Sequence, residues 1–278
     1  MSRFGCVSLF MLLVSVACGS LTSEPVDLRV HERTVYSQFG EDGVIEKLFE
    51  IIEPTSRYCV EFGAHDGMTG SNVRNLLMNE GWSGLQIEGN EKRAENLAKN
   101  YAAYPQAKTL QAWVWPGNIE ILFEEAGVPR DLDLLVIDID SNDYYVWRAI
   151  RDYRPKVVLI EANFFFPPPQ KMVIDYHPMN YWDGSHYLGA SPQSLYDLAK
   201  KKGYELVHHM SWGPNLFFVD RKYYDRFGIE DNSPAKMMSP KVREMVELRE
   251  KEGTPPNIGN PHLVWDELEI EKQWKLDR

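Results

Sequence analysis

In the stretch LLVIDIDSNDYYVW, Leu134 to Trp147, an unbroken apolar run hands over to Asp138, Asp140 and Asp143 within six positions. Carboxylates do not stay unpaired in a core, so acids crowded at the end of a buried strand either cap the next helix or face a ligand. Asp143 suits the first use, because the aligned peptide dipoles at a helix N-terminus stabilise negative charge. A carboxylate that faces a ligand can take a proton from a hydroxyl or anchor a substrate, and Asp140 is the candidate for that work.

A second group of reactive residue types lies upstream. EFGAHDG, residues 61–67, is followed closely by Ser71 and Asn72 at the expected start of a helix. Gly63 and Gly67 let the backbone turn tightly and approach a ligand, Glu61 can accept hydrogen bonds, and the helix start adds donors. QIEGN then puts Glu88 at the end of the next strand, where an acid can hold both hydroxyls of a ribose. The turn contains no Lys or Arg, and Asp66 would repel a pyrophosphate. The nucleoside expected there carries little negative charge, a restriction that S-adenosylmethionine, with its sulfonium, meets better than NAD or ATP.

Both groups need a frame. Val44, Ile45, Leu48, Phe49 and Ile52 mark one face of a helix that Pro54 ends. The strands RYCVEF, SGLQIE, KTLQAWV, LLVI and PKVVLIEA then alternate with helices, the second of which carries Val73, Leu76 and Leu77. Ser191, Pro192 and Gly203 bracket a further helix with an N-cap, a first-turn proline and a terminal glycine. YELVHHM and LFFVD are separated only by turn residues and therefore pair antiparallel. The order predicts an α/β fold: a doubly wound, mostly parallel, seven-stranded sheet with an antiparallel last strand, and ligands at the carboxyl ends of its strands.

Between Phe164 and Gly189 the chain is rich in aromatics and prolines, which predicts a lid with walls for an apolar or sugar-like acceptor. His177 and His186 are candidate bases within it. His208 and His209 alternate faces of a strand and so cannot share a metal, while Trp113 is placed to border an adenine. The main domain is expected over residues 31–222 and a helical appendage over 223–278, with Val242, Met245 and Val246 on one side.

The 278 residues are 44% hydrophobic, ample for a core, and the formal net charge of −11, without a basic cluster, excludes a polyanionic partner such as nucleic acid. Residues 1–20 carry Arg3, an apolar stretch and then small residues, the pattern of a signal peptide for the secretory pathway, with a lumenal or secreted product. An uncleaved membrane anchor is the alternative. Cys6 and Cys18 fall in that segment, which leaves Cys59 as a buried, inert thiol.

YCVEFGAHDGMTGSNVRNLLMNEGWSGLQIEGN resembles the S-adenosylmethionine-binding half of FkbM-type methyltransferases. That family carries acid-x-Gly-Ala-x-x-Gly, then Ser-Asn, then Gly-Trp-x-Gly before an acidic strand end. IDIDSNDYYVW is similar to the family's Ile-Asp-Val-Glu-Gly-x-Glu with its apolar pair, and YSQFGEDG, residues 36–43, to its lead-in. The likeness covers residues 36 to 220 and implies a Rossmann-like class I methyltransferase with S-adenosylmethionine as cofactor. Together with the residue readings above, it gives a cofactor set of Gln38, Glu61, Gly63, Ala64, Gly67, Ser71, Asn72, Glu88, Trp113 and Asp138. It implies that Asp138 lies near the cofactor's methionine or the substrate, and the catalytic candidates are Asp138, Asp140 and His186.

Three features depart from the family: Ser141-Asn142 stands where it has Gly, Gly89 follows Glu88, and the aromatic lid has no counterpart. The expected activity is O-methylation of a small hydroxylated molecule or glycan. The alternative is a secreted or anchored nucleoside-binding protein of the same fold without transfer activity. A metal reading competes, in which Asp138 or Asp140 joins Glu161 and Asn163 around Mg²⁺; the resemblance does not imply a metal, and Mg²⁺ is not favoured.

Overall fold

Side chains alternate between the two faces of a strand, and in this chain both faces are apolar, as a sheet covered on both sides requires. The computed structural model describes residues 25–178, 180, 182–252 and 263–264. Its main sheet contains β1 (Tyr58–Phe62), β2 (Ser83–Glu88), β3 (Ala107–Gln111), β4 (Leu134–Ile137) and β5 (Val157–Glu161), with β7 (Tyr204–His209) and β8 (Asn215–Asp220) completing it. The strand order is β3-β2-β1-β4-β5-β8-β7. The first five strands run parallel to one another, and β8 lies antiparallel between β5 and β7. This is the seven-stranded, doubly wound α/β sheet that the sequence predicts.

Leu134, Val136, Val157 and Leu159 point to one face, covered by α1 (Glu41–Ile52), α2 (Arg74–Asn79) and α3 (Glu91–Tyr101). Leu135, Ile137, Val158 and Ile160 point to the other, covered by α4 (Ile119–Ala126), α5 (Asp143–Ala149) and α6 (Pro192–Lys202). The order reverses at β1, whose neighbours are β2 and β4, and the crevice beyond the carboxyl ends of these three strands is the switch point where such sheets bind ligands.

Some boundaries differ from expectation. The third strand runs from Ala107 to Gln111 rather than through Val114, because the chain lifts off the sheet after Ala112 and lays the Trp113 ring over Gly89. The second helix begins only at Arg74, since Ser71 and the Asn72 backbone are engaged by Glu61. β6 (Val173–Ile174) pairs outside the main sheet with β9 (Leu263–Val264). Among the described residues a 3-10 helix (Arg221–Phe227) and two α-helices, α7 (Pro234–Met237) and α8 (Pro240–Lys251), follow β8. On α8, Val242 and Val246 are buried but Met245 is exposed, so the three do not share one buried side. The expected signal segment lies outside the described residues, as does most of the chain after Glu252. Among the described residues no helix is long and apolar enough to cross a membrane.

Candidate active site

Glu61 shows how strand parity decides the role of a side chain. It shares its face with Cys59 and sits opposite Gln86 in register, so it points beneath the loop that leads to α2. There it accepts hydrogen bonds from Ser71 Oγ at 2.7 Å and the Asn72 backbone N–H at 2.8 Å, with Gln86 Nε2 at 3.4 Å. Burial raises its pKa to about 7 against the pull of these donors. Of these three only Asn72 borders either of the two cavities at the strand ends; Glu61 and Ser71 lie beneath the loop and, with Ala64 and Gly67, outside both linings.

Gly63 is required by its surroundings. Its φ is +83°, and a Cβ there would meet the Asp138 carbonyl oxygen at 1.6 Å. Gly67 (φ +68°) serves α3 instead, because a Cβ would strike Tyr101 and Leu97 at 2.4 and 2.5 Å. Ala64 is buried, and its N–H, like that of Gly63, donates to the Ile87 carbonyl.

Two cavities lie side by side above the strand ends. The first, of about 480 Å³, is bordered by Gly63, Glu88, Trp113, Arg93, Asp138 and Asp140. Glu88 accepts one backbone N–H on each oxygen, from His65 and Asn90, both at 2.8 Å. A carboxylate oxygen has two acceptor sites, so each keeps one for a ligand. A Cβ on Gly89 would lie 2.6 Å from the Trp113 ring, so the glycine after Glu88 is what lets that ring lie beside the cavity. Arg93 enters from α3 and supplies the positive group that the glycine turn lacks.

The second cavity, of about 470 Å³, lies over β4, β5 and β8 and is bordered by Glu41, Asn72, Glu161, Phe165, His186 and Asn215, among others. Its described lining contains no Lys or Arg. Gln38, Gly70, Asp138, Asp140 and Trp182 border both cavities, which meet there. His65 and Asp140, both beside the first cavity, hold positive φ without being glycine, at 52° and 60°. Backbone strain of this kind is retained where surrounding structure over-determines it, commonly at functional sites.

The three aspartates separate by environment. Asp143 is fully buried at the first position of α5 and accepts the backbone N–H groups of Ile139 and Ser141 at 2.8 and 2.9 Å, so it clamps the loop that carries Asp140. Burial raises its pKa to about 6. Asp138 and Asp140 reach the junction of the cavities, and one oxygen from each lies within 4.8 Å of one from Glu161 and of the other. At an effective dielectric near 20, two carboxylates at such a separation repel by about 3 kcal/mol. Burial and then neighbouring acids raise Asp138 and Glu161 well above the usual carboxylate range. Asp140 is raised by burial and held back by Arg93.

The segment between Phe164 and Gly189 covers both cavities. Trp182 overhangs their junction, and the Phe165 and His186 rings stack at 3.8 Å on the wall of the second. Burial and nearby Arg249 lower the His186 pKa, which favours the neutral ring. Asn142 Nδ2 donates to the His177 carbonyl and Ser141 Oγ to the Asn180 carbonyl, at 2.9 and 3.2 Å. Asn163 Nδ2 donates to the His186 and Leu188 carbonyls, so this residue holds the cover and does not face the acids. His208 binds Glu32 at 2.9 Å and His209 is buried, both outside the two cavities.

Sequence reasoning did not single out Glu41, Gly70, Arg93 or Trp182 at these cavities. Signals existed for Gly70, a third glycine in GAHDGMTG, for Glu41 in YSQFGEDG and for Trp182 among the aromatics expected to wall the lid; Arg93 carries none, because its approach depends on how α3 packs.

No protein-family model matches this chain, and no curated protein matches it. Among solved structures, the N-terminal domain of EvdMO1 with SAH bound is similar over 66% of this chain and 82% of its own, at 13% identity and a TM-score of 0.45. An S-adenosylmethionine-dependent methyltransferase from Clostridium acetobutylicum is similar over 68% of this chain and 96% of its own, at 9% identity and a TM-score of 0.41. These likenesses reach no further than the arrangement of strands and helices.

Proposed function

We propose that the chain is an S-adenosylmethionine-dependent methyltransferase of the FkbM type that methylates an oxygen of a small hydroxylated molecule or glycan. The observation that carries this reading is the meeting of two cavities of similar size at Asp138 and Asp140. A transfer reaction needs two partners held end to end, and each cavity falls in the size range of small-molecule sites, roughly 300–1,000 Å³.

The first cavity suits the cofactor. Glu88 has acceptor capacity left for ribose hydroxyls, and Trp113 offers a ring face for a base. When bound, S-adenosylmethionine supplies an electrophilic methyl group on a sulfonium. The chain's own residues align the partners: Gly63 brings the ends of β1 and β4 together, Gln38 and Trp182 border the junction, and Asp138 lies where the sulfonium's positive charge is favoured. Asp140 would anchor the acceptor hydroxyl and take up its proton. The second cavity, acidic and without Lys or Arg in its described lining, favours a neutral hydroxylated acceptor over an anionic one.

The test is calorimetric titration of the full chain with S-adenosylmethionine, followed by transfer of labelled methyl groups to a panel of diols and sugars. Saturable binding with label on an acceptor oxygen is expected. No binding at millimolar cofactor overturns the reading, whereas binding without transfer to any hydroxylated acceptor points to the binding protein without catalysis.

A further inference from the structure

The acidic floor of the second cavity holds more acceptors than donors. Three polar oxygens bordering it are shut off from solvent and have no hydrogen-bond partner among the described residues: Glu161 Oε2, Asn72 Oδ1 and Asn215 Oδ1. Asn215 and Asn72 are 3% and 5% exposed, and Asn215 stands opposite Glu161 in the β5–β8 register. Asp138 and Asp140 close the group from the loop after β4, each placing an oxygen within 4.8 Å of the Glu161 ligand atom. Buried acceptors normally find donors, and the described lining of this cavity offers no lysine or arginine to provide them.

We infer that Asp138, Asp140 and Glu161 form a binding site for a hard divalent cation of the Mg²⁺ or Mn²⁺ class on the floor of the acceptor cavity. All three ligands are carboxylate oxygens, the donor type that suits Mg²⁺, Mn²⁺ and Ca²⁺ rather than Zn²⁺ or Cu⁺. Opposite oxygens of an octahedron at Mg²⁺ distances stand about 4.2 Å apart, so the observed spacing closes around such an ion with small side-chain shifts. One oxygen per carboxylate suffices, which leaves the second oxygen of Asp140 for a proton. Three protein ligands leave positions for water or for the acceptor's oxygen, whose proton the cation would render more acidic. Asn163 takes no part, since its amide holds the cover. The site stands on its own geometry; only its role in aligning an acceptor rests on the methyl-transfer reading.

The experiment titrates Mn²⁺ into the full chain, without cofactor or acceptor, and reads free Mn²⁺ by its paramagnetic resonance, with Mg²⁺ and Ca²⁺ as competitors. One bound ion per chain, released by Mg²⁺, is expected, with affinity at least tenfold weaker in Asp140→Asn and Glu161→Gln. Mg²⁺ should raise the melting temperature of the wild type and not of these variants. If Glu161→Gln fails to fold, Asp140→Asn alone decides, because its side chain sits on a loop at the cavity edge. Mn²⁺ that stays free at millimolar concentration, or binds both variants as tightly as wild type, overturns the site and leaves three carboxyls sharing protons. S-adenosylmethionine titrated in EDTA separates the two readings. Cofactor binding without any Mn²⁺ site ends the cation proposal alone, and a Mn²⁺ site without cofactor binding ends the transferase reading alone.

Discussion

A Cβ on Gly63 would stand 1.6 Å from the carbonyl oxygen of Asp138. The ends of β1 and β4 therefore approach at the switch point through a gap that only hydrogen can fill. Gly63→Ala is expected to lose ~3 kcal/mol or more from overpacking and unfavourable φ, a fall of roughly 6 °C or more in melting temperature. Gly70→Ala is the control, with a similar φ of +77° but only Gln38 Cβ within reach, at 3.9 Å. It should lose about 1 kcal/mol from backbone strain alone. Equal thermal melts for the two variants would show that the strand ends can part freely.

Glu88 separates stability from ligand binding. Glu88→Ala removes the acceptor of two part-buried hydrogen bonds, from the His65 and Asn90 N–H groups, and should lower stability by about 1 kcal/mol for each. Glu88→Gln retains one acceptor and removes the charge. A tenfold to hundredfold loss of S-adenosylmethionine affinity with a small change in melting is expected, since hydrogen bonds to charged groups are worth roughly 1.5–3 kcal/mol. An unchanged dissociation constant by calorimetry would remove Glu88 from ribose recognition.

Ser141 and Asn142 tie the cover to the loop after β4. Truncating either to alanine should release one hydrogen bond, worth about 1 kcal/mol, and speed amide exchange across residues 175–182 roughly fivefold through local opening. Mass-spectrometric exchange reads this directly. Unaltered protection in the double variant would mean that the aromatic packing holds the cover without them.

His209 makes the fold acid-sensitive. Burial, with nearby His208, lowers its pKa to about 3 from the ordinary 6.5. The unfolded chain thus binds a proton below pH 6.5 that the folded chain refuses, so this contribution is present above pH 6.5 and is lost as pH falls toward 3. The slope is at most about 1.4 kcal/mol per pH unit for one such group. His209→Gln should flatten the melting temperature between pH 6.5 and 4 relative to wild type. Parallel pH curves for the two proteins would assign the acid sensitivity elsewhere.

The sheet was legible because its central strands, LLVI and VVLIE, are short apolar runs and the helices between strands carry their own period and stop signals. The positions of Gly63 just past β1 and of Glu88 at the end of β2 were legible as well, since the strand boundaries follow from the apolar runs before them. Glu61 was harder to place: its type suits a ligand, but one step of strand parity turns it beneath the loop instead. Two departures from the family pattern have physical reasons that only the packing reveals. Gly89 admits the Trp113 ring, and Ser141 with Asn142 reaches the carbonyls of the cover. The approach of Glu161 to Asp138 and Asp140 was legible too, because consecutive parallel strands tend to be neighbours and β4 and β5 are; that Asn163 turns to the cover instead was not.

The cover is fastened on both banks, by Ser141 and Asn142 on one strand end and by Asn163 on the next. A roof tied at two eaves lifts only when several such bonds, each worth about 1 kcal/mol, give way together, so raising it costs more than raising a loop held along one edge.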